Sequence, residues 1–522
     1  MKWRDANRGE MMAVEDLFER ILRAPVYDVA TLTPLDEARL LSSQLGNRVW
    51  IKREDLQPVF SFKLRGAYSK LATLSEAERK AGVIAASAGN HAQGVALAAT
   101  KLGVHSRIVM PRTTPRIKVD AVGRFGGETV LEGDSYDEAM ALANRIQADE
   151  GRTFVHAYDD LDVIAGQGTV AMEILRQHPE GIDAVFVPVG GGGLIAGIAA
   201  YFHERSPQTR VIGVEPEDAA CLAGALAAGE PVDIGPAGLF ADGVAVRQIG
   251  ARPFEIVRDL VEEVVTVGID EICAAIRDIY DDTRSIAEPA GALSVAGLKR
   301  WVEDGAVRDA TLVAIDSGAN MNFDRLRHVA ERAAIGEQRE ALLAVTIPEE
   351  PGAFRSLCRA LGDHSVTEFN YRYGGGERAH VFVGVGLSGK RSEREGVMAG
   401  LRAAGFAVVD MTGNELAKLH VRFMVGGRAS MRDERLLRFE FPERPGALVR
   451  FLESIGGRWN ISLFHYRNHG AAFGRVLAGL EISAAESAEF ERFLEDLGYP
   501  WVEESGNPAA ELFLGQAIKS AG

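Results

Sequence analysis

Ser61-Phe62-Lys63-Leu64-Arg65-Gly66-Ala67-Tyr68 sets one lysine between an aromatic and an aliphatic neighbour, with an arginine two residues on and a Gly-Ala pair after it. A lysine held away from water loses part of its preference for the charged form, so its amine becomes available as a nucleophile or base. Alone, the stretch reads first as a helix start whose lysine lays its stem over apolar surface. Its meaning depends on three other places where a short apolar run ends in a loop. Ser87-Ala88-Gly89-Asn90-His91-Ala92-Gln93-Gly94 follows Val83-Ile84-Ala85-Ala86. Gly190-Gly191-Gly192-Gly193-Leu194 follows Val185-Phe186-Val187-Pro188-Val189. Ser317-Gly318-Ala319-Asn320 follows Thr311-Leu312-Val313-Ala314-Ile315.

Outward from these loops the chain alternates. Val49 to Asp55 reads as a strand running into a charged loop that delivers Lys63. Helices are expected from Val14 to Arg23, from Thr33-Pro34-Leu35 through Leu41, and from Leu71 to Lys80. Short strands near Val83, Ser106, Glu128 and Thr153 then alternate with helices starting near His91, Val119 and Ser135. A second series runs through helix Gly168 to Gln177 and strands near Ala184, Arg210, Val261 and Thr311, with helices between. Apolar strands alternating with helices predict parallel sheets covered on both faces. Two such series make two α/β lobes with a cleft between them, where cofactors lie. The catalytic region is expected over residues 1–335, its small lobe (about 52–152) inserted in the large one.

Past residue 335 an internal repeat takes over. Leu342-Leu343-Ala344-Val345-Thr346-Ile347-Pro348-Glu349-Glu350-Pro351-Gly352-Ala353-Phe354 matches Leu436-Leu437-Arg438-Phe439-Glu440-Phe441-Pro442-Glu443-Arg444-Pro445-Gly446-Ala447-Leu448. Glu368-Phe369-Asn370-Tyr371-Arg372 matches Leu463-Phe464-His465-Tyr466-Arg467, one residue out of register with the first match. Each copy, over residues 340–415 and 434–512, reads strand, Pro-Gly turn, helix, strand, a ferredoxin-like pattern. Two packing modules without a ligand would read the same way. These copies, however, add nothing to the lobes that carry the chemistry, which favours regulation. Alternation puts Phe369 and Tyr371 on one strand face, and Phe464 and Tyr466 on the equivalent one. Aromatic faces suit a branched apolar side chain, and equally a core or subunit contact.

Length, 522 residues, predicts about three domains. The net charge of −16 argues against nucleic acid or anionic membrane as the main partner. It does not argue against a phosphate held locally by backbone amides. Cys221, Cys273 and Cys358 are far apart and form no Cys-x-x-Cys, so they read as reduced, as in a cytoplasm. The acidic N-terminus is not a signal peptide, and no apolar run of membrane-spanning length occurs. No metal site is assigned.

Glycines at 190–193, between an apolar strand and a helix starting near Leu194, let backbone N–H groups close on a phosphate, and the helix N-terminus adds partial positive charge. The plainer reading is a tight strand–helix turn. Neither the Gly-Lys-Ser/Thr of a nucleotide P-loop nor the dinucleotide spacing is present. The loop Ser87, Ala88, Gly89, Asn90, His91 opens an Ala-rich helix whose N–H groups suit a carboxylate. His91 reads as a packing residue rather than a base. Ser317 ends a buried strand, and Asp316 before it should point to the opposite face. Glu288 is either a first-turn carboxylate favoured by the helix dipole or a cofactor neighbour. Ala165-Gly166-Gln167-Gly168-Thr169 reads as a helix-start loop facing the cleft.

Together and in this order, the four loops resemble the fold-type II family of pyridoxal phosphate (PLP) enzymes, and most closely the threonine deaminases (threonine ammonia-lyases). The resemblance covers nearly the whole chain. It implies a two-lobed α/β catalytic region of the tryptophan-synthase-β kind, followed by two ACT-like (ferredoxin-like α+β) regulatory subdomains. It also implies that Lys63 carries PLP with Phe62 beside it. Asn90 is then at the cofactor's 3-hydroxyl, Gly190, Gly191, Gly192, Gly193 and Leu194 at its phosphate, and Ser317 at its pyridine nitrogen. The Ser87–His91 loop receives the substrate carboxylate, and Glu288, Gly166 and Gln167 are further candidates. A hydroxyl does not hold the ring nitrogen protonated as a carboxylate would, which suits β-elimination. Ala88 stands where related serine racemases carry a second serine, which favours a lyase.

The implied reaction turns L-threonine into 2-oxobutanoate and ammonia, the first committed step towards isoleucine. Lys63 removes the Cα proton, and the phosphate is the proton donor to the leaving hydroxyl. Isoleucine inhibition opposed by valine, in a cytoplasmic homotetramer, is implied by the doubled module. Alternatives are a serine or threo-hydroxyamino-acid dehydratase or racemase of the same fold, and a PLP-binding amino-acid sensor without turnover. The intact Lys63 and the full loop set count against the sensor.

Overall fold

The computed structural model describes residues 2–4, 11–348, 353–362, 364, 366–370, 377–423, 433–442, 459–467 and 473–514. It divides into two compact units, Met1–Ala333 and Ala334–Gly522.

In the first unit β1 (Lys2–Arg4) and β2 (Met11–Ala13) pair antiparallel ahead of two larger sheets. One sheet holds β3 (Leu35–Glu37), β4 (Arg48–Arg53), β9 (Ala184–Pro188), β10 (Arg210–Pro216), β11 (Glu263–Val267) and β12 (Thr311–Asp316) in the order β11-β10-β9-β12-β4-β3. The other holds β5 (Val83–Ala86), β6 (Ser106–Met110), β7 (Glu128–Leu131) and β8 (Thr153–Phe154) in the order β7-β6-β5-β8. All pairings in both sheets are parallel except β3 with β4. The central strands are apolar throughout because both faces are covered. Val185, Val187, Val313 and Ile315 enter one core while Ala184, Phe186, Leu312 and Ala314 enter the other. The chain leaves the large sheet after β4, builds the small lobe, and returns through the helix Leu161–Gln177 to β9.

Three local expectations are corrected. Residues after Pro34 do not start a helix: β3 pairs with β4 through Leu35↔Lys52, and the helix begins only at Arg39. The helix expected from Leu71 to Lys80 is two, Lys63–Ala72 and Glu76–Ala81. Ser75 restarts it with a capping box: its hydroxyl accepts from the Glu78 N–H (3.3 Å), and the Glu78 carboxylate accepts from the Ser75 N–H (2.8 Å). Finally, Gly166-Gln167-Gly168 is not a loop but mid-helix, within Leu161–Gln177. Its glycines are where helices cross. A Cβ at Gly166 would lie 2.5 Å from the Arg65 carbonyl oxygen and 2.7 Å from Gly66 Cα; one at Gly168 would lie 2.6 Å from Ile21 Cδ1 and 3.0 Å from the Gly197 carbonyl oxygen.

The second unit repeats one design twice. β13 (Glu340–Pro348), β14 (Val366–Asn370), β15 (Arg378–Gly386) and β16 (Ala407–Asp410) form an antiparallel sheet in the order β14-β15-β13-β16. β17 (Glu434–Pro442), β18 (Asn460–Arg467), β19 (Phe473–Glu481) and β20 (Trp501–Glu503) follow with the order β18-β19-β17-β20. Both edge strands carry a register shift at the same place, Val366/Glu368 and Ile461/Leu463. Phe369 pairs with Val383 in one copy and Phe464 with Ala478 in the other, so these positions are equivalent. Tyr466 lies on β18, and Tyr371 lies outside the described residues. The copies share a core: Phe382 meets Phe513 edge-on at 5.5 Å, with Leu342, Leu436 and Leu477 around them. Asn414 and Asn507, each capping a helix, bond to each other (3.1 Å). Among the described residues no helix is long and apolar enough to cross a membrane.

Candidate active site

Lys63 is the first residue of the helix Lys63–Ala72. The loop before it is sewn to the loop after β12: Ser61 bridges Gly318, the Phe62 N–H donates to the Ser317 carbonyl (3.3 Å), and the Ala319 N–H donates to the Phe60 carbonyl (2.9 Å). Phe60 sits in the left-handed region (φ 55°), uncommon for an aromatic residue and held by that pairing. Lys63 Nζ donates to the Ala157 carbonyl (3.2 Å) and lies 5.1 Å from the Phe62 ring centroid. Burial pushes its pKa down to about 8 against the opposing pull of the Glu288 carboxylate, so a sizeable fraction of the amine is neutral near physiological pH.

Asn90 opens the helix Asn90–Leu102, which packs against the Lys63 helix in the core of the small lobe. Its amide donates to Glu288 Oε1 (2.5 Å), and its Oδ1 accepts from Asn320 Nδ2 (2.7 Å), which also donates to the Val59 carbonyl (2.8 Å). Burial raises the pKa of Glu288 to about 7, and the Asp242 carboxylate adds to the rise. Asp242 accepts from Lys118 of the small lobe (2.5 Å) and from Arg325 (3.4 Å). The turn Asp242–Val244 thus lies between two of the loops: a Cβ at Gly243 would be 3.6 Å from Glu288 Oε1, and one at Gly190 would be 2.9 Å from Val244 Cα. His91 stands behind this group. Its Nε2 bonds the Val155 carbonyl (2.9 Å), and burial, then Lys63, lowers its pKa to about 3, so the ring is neutral.

The four glycines follow β9, Gly192 capping and Gly193 opening the helix Gly193–Arg205. Gly192 adopts φ +89°, which favours glycine. A Cβ at Gly191 would sit 2.2 Å from the Tyr158 ring, and one at Gly193 would sit 3.0 Å from Tyr158 Cα. The Ala196 N–H donates to the Gly192 carbonyl (3.0 Å), so the N–H groups of Gly193, Leu194 and Ile195 precede the helix ladder. They and the helix dipole suit an anion. Ser317 Oγ bonds the Ala290 carbonyl (3.2 Å). Asp316, register partner of Arg53, is fully buried and lifted well above the usual carboxylate range by burial and by Asp55. Arg53 is committed to Asp55, Asp36 and Ser285.

The structure therefore links Phe62, Lys63, Asn90, Glu288, Ser317 and the glycine run through one set of neighbouring loops. Ser87 Oγ accepts from the Gly89 N–H (3.3 Å) in the same loop as Asn90. Gly166 serves a helix crossing instead. Gln167 Oε1 accepts from the Gly66 N–H (3.3 Å), behind the Lys63 helix. Sequence reasoning passed over Ala157, Tyr158, the Asp242–Val244 turn and the individual part of Asn320. The first two carry a signal, since His156-Ala157-Tyr158 follows β8 as a fifth strand-then-loop.

A PLP group fits these residues: a buried amine of lowered pKa, a glycine turn at a helix N-terminus, and a hydroxyl at a strand end. The family of pyridoxal-phosphate dependent enzymes matches residues 26–318, and the C-terminal regulatory domain of threonine dehydratase matches twice, at 331–421 and 425–514. The biosynthetic L-threonine dehydratase IlvA of Burkholderia multivorans is 55% identical over 507 residues, 96% of this chain and 100% of that one. Among solved structures, the processed threonine deaminase isoform 2 of Solanum lycopersicum is 47% identical with a TM-score of 0.61, over 63% of this chain and 90% of that one. Maize serine racemase is 30% identical with a TM-score of 0.57, over 60% and 96%. With both regions matched and the identity sustained end to end, the chain belongs to the threonine dehydratase family of pyridoxal-phosphate-dependent enzymes.

Proposed function

We propose that the chain dehydrates and deaminates L-threonine to 2-oxobutanoate and ammonia. The observation that carries this reading is the Lys63 amine, with its pKa brought to about 8, lying where loops from both lobes meet. Full-length relatives named for threonine dehydration support the substrate.

When bound, PLP would supply the sink for the electron pair left at Cα. The residues do the rest. Lys63 anchors the cofactor and then moves the Cα proton as the base. Gly190–Gly193 and Leu194 fix the phosphate through backbone amides. Asn90, itself held between Glu288 and Asn320, is placed for the 3-hydroxyl. Ser317 meets the pyridine nitrogen with a hydroxyl, which leaves that nitrogen without a permanent charge partner. The Ser87–His91 loop, with the helix N-terminus behind it, receives the substrate carboxylate, and Ala88 offers no acid there for racemisation.

Residues 1–335 form the catalytic region under this reading. Subdomains 340–415 and 434–512 take branched-chain amino acids, isoleucine as inhibitor and valine as its opponent, in a cytoplasmic homotetramer. Isoleucine must bind one global state better than another, since equal affinity shifts nothing. The test is Lys63→Ala. The variant is expected to fold, to lose the visible absorbance of lysine-bound cofactor, and to lose 2-oxoacid production from threonine and from serine. Near wild-type turnover by that variant would sink the assignment.

A further inference from the structure

We propose that Arg65 is a positioning residue for the Lys63 amine, acting through a closed ionic knot that joins the first turn of the Lys63 helix to β4 and to the helix Leu161–Gln177. The proposal rests on the reading of Lys63 given above. Arg65 lies two residues after Lys63, in the same first turn, and is fully buried. Its guanidinium holds two carboxylates at once. Glu54, from the turn after β4, takes Nε (2.7 Å) and one terminal nitrogen (2.8 Å). Glu173, from the helix Leu161–Gln177, takes both terminal nitrogens (2.6 and 3.0 Å). Thr169 Oγ1 accepts a further bond (3.1 Å).

Lys52 closes the knot, donating to Glu173 (2.6 Å), Gln177 (2.9 Å) and the Thr33 carbonyl (2.7 Å), and the Thr33 hydroxyl donates to Glu54 (2.6 Å). Two cations face two carboxylates, and all four side chains have no solvent exposure. Such a group is rigid because each member, moved alone, would leave a charge unpaired in a dry interior.

The consequence for Lys63 is geometric. Backbone bonds hold the segment before Lys63 to the Ser317 loop, but the N-cap Phe62 offers no side-chain cap to the helix itself. The Arg65 fork adds a second constraint, tying the first turn to β4 and to the Leu161–Gln177 helix together. A lysine in place of Arg65 keeps the charge but has no planar fork to serve both carboxylates. A displacement of about 1 Å at a reacting group costs on the order of 100-fold in rate.

The experiment compares holoenzyme, Arg65→Lys and Thr169→Val. It measures kcat and KM for threonine, visible circular dichroism per bound cofactor, thermal midpoint, and the lysine trapped by borohydride reduction. Arg65→Lys is expected to remain loaded on Lys63, to lose about 100-fold in kcat with KM within about two-fold, and to lose much of the visible dichroism. Thr169→Val, a milder change that removes one contact to Arg65, is expected to lose several-fold in kcat in the same direction. A folded, loaded variant with wild-type kcat and dichroism and only a lower thermal midpoint would overturn the proposal. Thr169→Val decides alone if Arg65→Lys does not fold. Cofactor trapped on a different lysine in the wild type would instead overturn the Lys63 reading, and this proposal with it.

Discussion

At neutral pH Glu288 is close to half-protonated, because burial lifts its pKa to about 7 from an ordinary value of 4.5. A carboxyl raised on folding favours the folded state fully below its unfolded pKa, and that contribution is lost as pH rises through the folded one. In cofactor-free protein, Glu288→Gln should therefore gain on wild type by roughly 2–3 kcal/mol between pH 5 and pH 8. Urea unfolding at the two pH values measures this, and a gap that does not change with pH contradicts it. The residue was legible in the sequence as a helix start. Its titration was not, since the groups that set it, Asn90 and Asp242, are far away along the chain. Lys63 and the glycine run were legible because strand, loop and helix follow one another locally. Tyr158 was not singled out, because nothing in its own residue type says that it lies against Gly191.

Among the elements, the helix Leu161–Gln177 shows why small residues mislead. A glycine inside a helix costs about 1 kcal/mol relative to alanine, so two of them read as a loop. Their compensation is tertiary: the Lys63 helix on one side and the Gly193–Arg205 helix on the other come close only where side chains are absent. Gly166→Val should destabilise the protein by roughly 1–3 kcal/mol, because the Arg65 and Gly66 backbone cannot move aside. Gly123→Ala, in the helix Arg116–Arg124 with nothing within 4 Å of the added carbon, should instead be neutral or stabilising by up to about 1 kcal/mol. Chemical denaturation of both decides whether crossing geometry or helix propensity governs. The buried parallel strands were legible as unbroken apolar runs. The three-residue β3 was not, because its conformation comes from pairing with β4 rather than from its own pattern.

For the whole molecule, the duplication was visible in the two Pro-Gly turns, and the one-residue offset between copies survives in the strand pairings. The shared core around Phe382 and Phe513 was not visible, since these two rings lie outside the matching segments and meet only in the fold. A chain ending at Gly336, just past the boundary between the units, is expected to keep cofactor and, where it stays assembled, threonine turnover, and to ignore isoleucine. Turnover against isoleucine concentration tests this. Inhibition of the active truncated enzyme at the full-length concentration would remove the regulatory reading.

The pairing of β4 with β12 also sets a timetable for biosynthesis. Arg48 reaches Thr311 across 263 residues (3.0 Å), and β4 finds its parallel neighbour only when β12 exists. At about 5–20 residues per second, the ribosome needs on the order of tens of seconds to supply that stretch. The small lobe's four strands all lie between Val83 and Phe154 and can close during the wait. β4 meanwhile stays an open edge on an unfinished sheet, the kind of surface on which chaperones act and chains aggregate. The lysine that the enzyme is built around is thus made early and housed late, and the nascent chain has no finished binding site for its cofactor until translation has passed β12.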